Sequence, residues 1–358
     1  MRNPYLGLPK RAFWRRSVAG LPAEEVDPVS DVPFTIGRTD TIATAGSCFA
    51  QHIAKTLVKA GFHYLVTERT PATAHATDEN IGVFPARFGN VYSVRQLRQL
   101  FQRAYGLFEP VDDAWQRADG RWIDPFRPRI QDAGFPSPEA VAEDRVVHLA
   151  AVRAMFETCD VFVFTLGLTE TWIAREDDAV FPLSPGVEAP GRPDGDYAFH
   201  NFSVLEMVAD LTAFLADLRT VNPGVRVILT VSPVPLIATY ETRHVLQSTV
   251  YSKSALRVVA EEIVRSHQGV AYFPSFEIIT GPHTRSRFFA EDLREVTDEG
   301  VQHVMALFRR HYLSDDTAAA PRPVRTEDVM SEGTRAAVAE RLRSVQAVVC
   351  DEEALDRG

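Results

Sequence analysis

Four strand-like segments, separated by helical patterns, constrain the fold of this chain more than any other feature. Three of them are almost entirely apolar: residues 160–167 (DVFVFTLG), 225–231 (VRVILTV) and 269–273 (GVAYF). The fourth, residues 41–46 (TIATAG), precedes them. Apolar runs without polar alternation are typical of strands buried on both faces. Strands that alternate with helices pair in parallel, because parallel strands need a crossover connection.

Helical periodicity lies between and around these strands. Apolar residues recur at helical spacing in segments 49–60, 93–105, 137–159, 202–218, 253–267 and 297–312. We therefore predict an α/β protein, a three-layer α/β/α sandwich with a central, mostly parallel sheet. An irregular, proline-rich N-terminal arm (1–33) would precede the domain (34–313), and a linker with a polar C-terminal helix at 327–349 would follow it (314–358).

Charge and composition exclude several classes of function. A net charge of −10 argues against nonspecific binding of nucleic acid or anionic lipid. The sequence has no apolar run of membrane-spanning length and no apolar leader near its start, so we expect a cytoplasmic protein without a membrane span. Three scattered cysteines, and the lack of Walker A, GxGxxG or HExxH motifs, predict no disulfide framework, no metal and no cofactor.

The turn after the first strand is the strongest candidate site. Gly46 and Ser47 stand where that strand meets a predicted helix, and parallel sheets form their sites at the carboxyl ends of strands. The N–H groups and dipole of a helix start can stabilise an oxyanion beside a serine oxygen. Ser47 is therefore a candidate nucleophile, although a serine here can also simply cap the helix. Cys48 could be activated in the same way, but we favour a buried structural role for it.

The surrounding segment, residues 43–54 (ATAGSCFAQHIA), resembles the signature of the GSCFA family, a branch of the SGNH/GDSL hydrolase-like superfamily. Further segments resemble blocks of this family in the same order: FGNVYSVRQLRQLFQRAYGLF, TLGLTETW, YAFHNFSV, LTVSPVPL, YSKSALR and YFPSFEII. The resemblance spans about 34–313 and implies an SGNH/flavodoxin-like fold. In SGNH hydrolases the first-block serine attacks an acyl carbon, while its N–H, a glycine N–H and an asparagine amide hold the oxyanion. A DxxH pair completes the triad.

The family's two further oxyanion donors, a glycine N–H and an asparagine amide, can be matched to candidate residues of this chain. The third block of the superfamily, GxND after a buried strand, resembles residues 167–170 (GLTE), so Gly167 is kept and Thr169 stands at the asparagine position. Gly89 and Asn90 are candidates for a second-block glycine and an amide donor, from their order in the chain. Glu170, which follows the same strand, is a candidate substrate contact.

The fourth block departs from the family pattern. The segment FFAEDLREV aligns Asp292 with the aspartate of DxxH, but the histidine position holds Glu295. Three outcomes are open. Another histidine, His283, His200 or His303, could be the base, because triads are defined by geometry and not by order. Glu295 itself could be the base if its pKa were raised by burial or by a nearby like charge, which Asp292 is close enough to supply. The protein could also have lost hydrolysis.

Two further segments carry expectations. Ser252 and Lys253 stand at the start of a predicted helix, where we expect Ser252 to act as the cap and regard a Ser-Lys catalytic pair as a remote alternative. Residues 115–128 (WQRADGRWIDPFRP) lack a period and predict a long excursion over the surface.

These features together predict an SGNH-like serine esterase or O-acyltransferase acting on a small-molecule or glycan ester, by analogy an ester of a cell-envelope glycan or glycolipid. The first alternative is a noncatalytic protein that binds a glycan or acyl ligand. The second is an assembly or scaffold protein that uses the segment 115–128 and the C-terminal helix. The sequence does not determine the oligomeric state, because fold alone fixes neither substrate nor assembly.

Overall fold

The structure is a computed structural model that describes residues 3–69, 74–75, 79–314, 340 and 351–356. Its strands are β1 (Thr41–Gly46), β2 (His63–Tyr64), β3 (Trp115–Gln116), β4 (Trp122–Ile123), β5 (Val161–Leu166), β6 (Glu170–Ala174), β7 (Val180–Phe181), β8 (Tyr197–Asn201), β9 (Arg226–Val231) and β10 (Val270–Phe273). Its α-helices are α1 (Trp14–Ser17), α2 (Ala50–Lys59), α3 (Val94–Ala104), α4 (Pro138–Thr158), α5 (Val204–Val221), α6 (Val245–Ser266), α7 (Ser275–Thr280) and α8 (Asp298–Tyr312).

The central sheet has five strands in the order β10-β9-β5-β1-β2, and every neighbouring pair is parallel. The register places Gly46 of β1 opposite Thr165 of β5, and Thr165 opposite Thr230 of β9. All four predicted strands lie in this sheet, so the predicted parallel α/β architecture is confirmed. The edge strand β2 was not predicted, because two residues are too short for a periodic pattern.

Helices cover both faces of the sheet. In β5, Phe162 and Phe164 pack in the apolar cluster that holds α3, α4, α5 and α6, whereas Val161 and Val163 pack in the cluster that holds α2, α7 and α8. Successive side chains of a strand point to opposite faces, so an uninterrupted apolar strand can serve two helical layers at once. The predicted three-layer sandwich is confirmed.

Helix α6 begins at Val245, eight residues before its predicted start. The His244 side chain accepts a hydrogen bond from the Leu246 N–H and acts as the cap. The first turns were missed because Leu246 and Val250 are apolar but more than half exposed, which blurs the helical period. Ser252 therefore lies inside the helix, and the expectation that it caps the helix is wrong.

The segment 115–128 runs over the surface only in part: residues 118–120 are exposed, whereas residues 123–128 are buried. Trp115 and Phe126 are buried, and β3 and β4 form a short antiparallel hairpin within it. Two of its charged residues are also buried, since Arg127 pairs with Asp124 at 3.0 Å and with Asp144 at 2.9 Å, whereas Asp119 is exposed. The buried charges are satisfied by each other inside the protein.

A second, smaller sheet follows the end of β5. Strands β7, β6 and β8 form it in that order, and both of its pairings are antiparallel. It was not predicted, because its strands are short and half-buried. The N-terminal arm carries α1 and two single helical turns, Lys10–Ala12 and Ala23–Glu25.

The far end of the chain is described only in part. The predicted helix at 327–349 lies outside the described residues, apart from Glu340. Asp351–Asp356 form a short 3-10 helix. Among the residues that the structure describes, no helix is long and apolar enough to cross a membrane.

Candidate active site

The turn that carries Ser47 lies at the switch point of the sheet. From β1 the chain leads to β2 on one side and later to β5 on the other, and the crevice at such a point is where open α/β sheets bind ligands. Ser47 is 3% exposed, and its Oγ has no hydrogen-bond partner among the described residues. The hydroxyl is therefore not used to cap α2. The first turn of that helix is held instead by the bond from the Ala50 N–H to the Ser47 carbonyl.

Gly46 allows β1 to approach β5 closely at this turn. Its φ is +137°, and a Cβ placed on it would lie 2.3 Å from the Thr165 carbonyl oxygen. No side chain fits at that distance, so the turn requires glycine.

We expect Gly46→Ala to lower the free energy of unfolding by several kcal/mol, because the backbone must move to relieve the clash with Thr165. Gly89→Ala is the matched control. Gly89 also has a positive φ, of +72°, but open space around it, so we expect a cost of about 1–2 kcal/mol. Urea unfolding followed by circular dichroism measures both. Equal losses in the two variants would contradict the close approach.

The loop 88–92 brings Asn90 to the same turn. The Val91 N–H donates to the Gly46 carbonyl at 2.8 Å. The Gln96 side chain holds the loop from the other side, accepting from the Tyr92 N–H at 2.8 Å and donating to the Asn90 carbonyl at 3.0 Å. Because both bonds are to backbone groups, the position of Asn90 follows from the fold and not from its own side chain.

Gly167, which follows β5, forms the opposite wall. A Cβ placed on it would lie 3.1 Å from the Ser47 Cβ and 3.0 Å from the Tyr92 carbonyl oxygen. Its N–H donates to that Tyr92 oxygen at 3.0 Å. The structure thus brings four of the predicted site residues together: Gly46, Ser47, Asn90 and Gly167.

Lys253 lies beside this wall and was not predicted to belong to it. Its Nζ donates to the Gly167 carbonyl at 2.7 Å, and the residue is 3% exposed. Burial lowers the pKa of Lys253 to about 8, partly offset by the Glu352 carboxylate and by Cys48, which is buried nearby. One sequence signal could have found this residue: the chain has only four lysines against 34 arginines, so each lysine is a rare choice.

The hydrogen-bond donors around Ser47 differ from those predicted. The Ser47 N–H donates to the Thr165 carbonyl at 3.2 Å, so in this structure it is not directed at an oxyanion. The Thr169 N–H donates to Ser252 Oγ at 3.1 Å, but the buried Thr169 hydroxyl has no partner among the described residues. Two side-chain donors are therefore left at the predicted oxyanion positions, the Thr169 hydroxyl and the Asn90 amide.

The side-chain amide of Asn90 is oriented to donate a hydrogen bond to an anion. Its Oδ1 accepts from Gln51 Nε2 at 3.4 Å, while its Nδ2 donates to the Asp351 carboxylate at 2.8 Å. The Tyr92 hydroxyl accepts from the Asp351 N–H at 3.0 Å and lies 3.5 Å from the same carboxylate. Burial raises the pKa of Asp351 to about 6, although the bonds from Asn90 and Tyr92 oppose the shift. The Asp351 carboxylate of the same chain thus accepts the hydrogen bond that the Asn90 amide could otherwise donate to an oxyanion at Ser47.

A model of the GSCFA family matches residues 41–308. The chain belongs to the GSCFA family. No curated protein matches this GSCFA protein. Two of the solved structures that match it illustrate a distant resemblance. One, from Streptococcus pneumonia, is provisionally assigned as a platelet activating factor; identity is 15%, the match covers 47% of this chain and 64% of that chain, and the TM-score is 0.26. The other is the acetyl xylan esterase Est2A of the rumen bacterium Butyrivibrio proteoclasticus; identity is 10%, coverage is 78% of this chain and 66% of that chain, and the TM-score is 0.28.

None of the three candidate histidines of this GSCFA protein is hydrogen-bonded to Ser47, whose Oγ has no partner in the described part of the chain. His200, on β8, bonds to Glu206 at 2.8 Å, and this glutamate also belongs to the capping box of α5. His283 and His303 lie near each other, and burial lowers the pKa of both. The His303 ring stacks on Phe288. Their positions are explained by the packing around α5 and α8.

The turn that replaces DxxH is exposed. The Asp292 carboxylate accepts from the N–H groups of Arg294 and Glu295, both at 3.0 Å, and these bonds lower its pKa. The Glu295 side chain is exposed as well, so it lacks the burial that a carboxylate base would need. The Arg294 guanidinium turns inward instead and reaches the Glu352 carboxylate at 3.4 Å. This turn therefore places the permanently charged Arg294 guanidinium in the crevice, and it places no base there.

Glu170 positions a loop. Its carboxylate accepts from the Thr239 hydroxyl at 2.7 Å and from the Tyr240 N–H at 3.3 Å. Trp172, two residues later, packs edge-on against Tyr240 with ring centroids 4.9 Å apart. These contacts fix the loop that follows β9 at the carboxyl edge of the sheet.

Proposed function

We propose that this GSCFA protein is a serine esterase or O-acyltransferase in which Ser47 attacks the acyl carbon of an ester. The supporting observation is the state of the Ser47 hydroxyl: it is buried at the switch point and has no hydrogen-bond partner among the described residues. A buried polar group without a partner is costly, and a catalytic role is one reason for which such a group is kept.

Lys253 is the best candidate for the base. With a pKa of about 8, about a tenth of its amines are unprotonated at pH 7, whereas an ordinary lysine would be almost fully protonated. The amine is bound to the carbonyl of Gly167, whose Cα lies against Ser47. We propose that a rotation of the lysine side chain moves Nζ from this carbonyl to the serine hydroxyl when substrate is bound, since catalytic hydrogen bonds often tighten only then.

The reaction then proceeds in two steps. Lys253 takes the hydroxyl proton while Ser47 Oγ bonds to the acyl carbon, and the Asn90 amide and Thr169 hydroxyl stabilise the oxyanion. The bond to the leaving oxygen breaks, and that oxygen takes the proton from the Lys253 ammonium. Water or an acceptor hydroxyl, activated by the same amine, then displaces the acyl group from Ser47. The acceptor decides between hydrolysis and transfer. We propose a small-molecule or glycan ester as the substrate.

A noncatalytic ligand-binding protein is the second candidate. It is favoured by one observation, the bond between the Ser47 N–H and the Thr165 carbonyl, which removes the usual first donor of an oxyanion hole. In that case the crevice would bind an acyl or glycan ligand without cleaving it.

Reaction with a fluorophosphonate distinguishes these two candidates. We expect mass spectrometry to locate a phosphonyl adduct on Ser47, because an activated serine oxygen displaces fluoride from phosphorus. Ser47→Ala should abolish the adduct and Cys48→Ala should keep it. Since the acidic segment 351–356 covers the crevice, the Asp351→Ala/Glu352→Ala double variant is labelled in parallel. A folded double variant that acquires no adduct, or acquires it on Cys48, would exclude Ser47 as the nucleophile.

A further inference from the structure

The crevice beside Ser47 is occupied by a segment of the same chain that is distant in sequence. Asp351 and Glu352 are 4% and 5% exposed, although the residues after them, Glu353, Leu355 and Asp356, are exposed. Only the first two residues of the short helix are therefore inserted. The insertion is made by the carboxylates and not by an apolar side chain.

The groups that bond to these carboxylates are donors or cations, although the Glu188 carboxylate also lies near enough to Asp351 to oppose its ionisation. Asp351 accepts from the Asn90 amide at 2.8 Å, and Arg129 lies close enough to stabilise its charge. Glu352 faces the Arg294 guanidinium at 3.4 Å and interacts with the buried Lys253 amine. In a chain with a net charge of −10, this concentration of donors is a local exception that favours an anion.

We propose that Asp351–Asp356 is an intramolecular ligand, which fills a carboxylate-binding subsite beside Ser47 and must be displaced before a substrate can enter. The ligand that takes its place would carry a carboxylate or an ester carbonyl at the position of Asp351. The identity of this crevice as a substrate site rests on the proposed function, whereas the docking of the segment does not.

The contacts suit an occupant that can leave. Burial raises the pKa of both Asp351 and Glu352, which means that the ionised segment is held against a desolvation cost. Leu355 is 39% exposed, so within the described residues 351–356 no buried apolar side chain fixes the segment in place. Polar contacts of this kind exchange with water more readily than a packed apolar core does.

Accessibility of Lys253 tests the proposal without requiring any catalysis. The chain has only four lysines, Lys10, Lys55, Lys59 and Lys253, so acetylation by an amine-reactive ester can be assigned to each by mass spectrometry. In the native chain we expect Lys253 to react slowly. In the Asp351→Ala/Glu352→Ala variant its rate relative to Lys59 should rise at least about tenfold, because the segment no longer covers the amine.

The matched control is Glu353→Ala/Asp356→Ala, which removes the same charge from exposed positions of the same helix and should leave the Lys253 rate unchanged. A synthetic peptide of residues 351–358 (DEEALDRG), added to the first variant, should restore slow acetylation of Lys253. The same peptide with alanine at its first two positions should not. Equal Lys253 rates in the native chain and the first variant, or protection by both peptides alike, would overturn the proposal.

Two further measurements separate this inference from the proposed function and from misfolding. Repeating the acetylation in the Ser47→Ala background should give the same rates, since nucleophile and occupant are independent. If Lys253 responds but no variant labels at Ser47, the occupant stands and the serine chemistry fails. Hydrogen exchange in the native chain gives a readout that needs no variant: the Asp351 N–H, bonded to Tyr92, should be protected, and its rapid exchange would refute docking.

Discussion

Replacing Lys253 by methionine should slow the fluorophosphonate labelling of Ser47 at least about a hundredfold at pH 7.5, because a positioned general base contributes roughly 10²–10⁴ to such steps. Methionine fills a similar volume but has no amine. Lys253→Arg should not rescue the rate, since a guanidinium stays protonated and cannot accept the proton. The rate is compared with that of Lys59→Met, a change at an exposed lysine of α2 that should behave as the native chain.

The pH dependence of the labelling rate also tests whether Lys253 is the base. Burial lowers the pKa of Lys253 to about 8, and only the unprotonated amine can take the serine proton. The labelling rate should therefore rise about tenfold per pH unit below pH 8 and level off above it. Lys253→Met should lose this rise. A native rate that does not change between pH 6 and 8, in a folded chain that labels at Ser47, would assign the proton transfer to another group.

The second large effect concerns stability. Asp144 is 1% exposed and pairs with two buried guanidinium groups, Arg87 at 3.3 Å and Arg127 at 2.9 Å. We expect Asp144→Ala to lower the free energy of unfolding by about 3–5 kcal/mol, because it removes one carboxylate from a buried cluster in which Arg127 then keeps only Asp124 at 3.0 Å and Arg87 only Glu68 at 3.5 Å. Urea unfolding followed by tryptophan fluorescence measures the loss.

The control for this prediction is an Asp–Arg pair whose carboxylate is exposed. Asp113, whose side chain is 52% exposed, bonds to Arg145 at 2.9 Å, and water screens this pair. Asp113→Ala should change the free energy of unfolding by no more than about 1 kcal/mol. If the two alanine variants lose the same stability, the buried cluster is not held together by its charges in the way proposed.

The fold was predictable wherever burial on both faces of a strand produces an uninterrupted apolar run in the sequence. Strands β5 and β9 are buried on both faces, so nearly every residue is apolar and the pattern survives without an alignment. The three-stranded sheet and the buried part of the segment 115–128 show no such apolar run. In the latter, Asp124 and Arg127 are internal because they satisfy each other, a pairing that depends on three-dimensional proximity and not on local sequence.

The candidate site divides in the same way. Ser47 could be placed from its position between a strand and a helix, and Gly46, Gly167 and Asn90 from motif and order along the chain. The glutamate at the expected histidine position could be read directly, but what replaces that histidine could not. Glu295 is exposed, and the neighbouring Arg294 turns inward, which a spacing argument does not distinguish.

By itself, the sequence determined the parallel α/β architecture and the serine at the end of β1, because both depend on short-range pattern: apolar runs, helical period and one turn. Only the tertiary structure decided the surroundings of that serine. Lys253 reaches Gly167 from the middle of a helix, and Asp351 reaches Asn90 from the far end of the chain. Contacts between residues so far apart in sequence depend on packing and on the desolvation of charged groups. Neither can be predicted from the periodicity of a local segment.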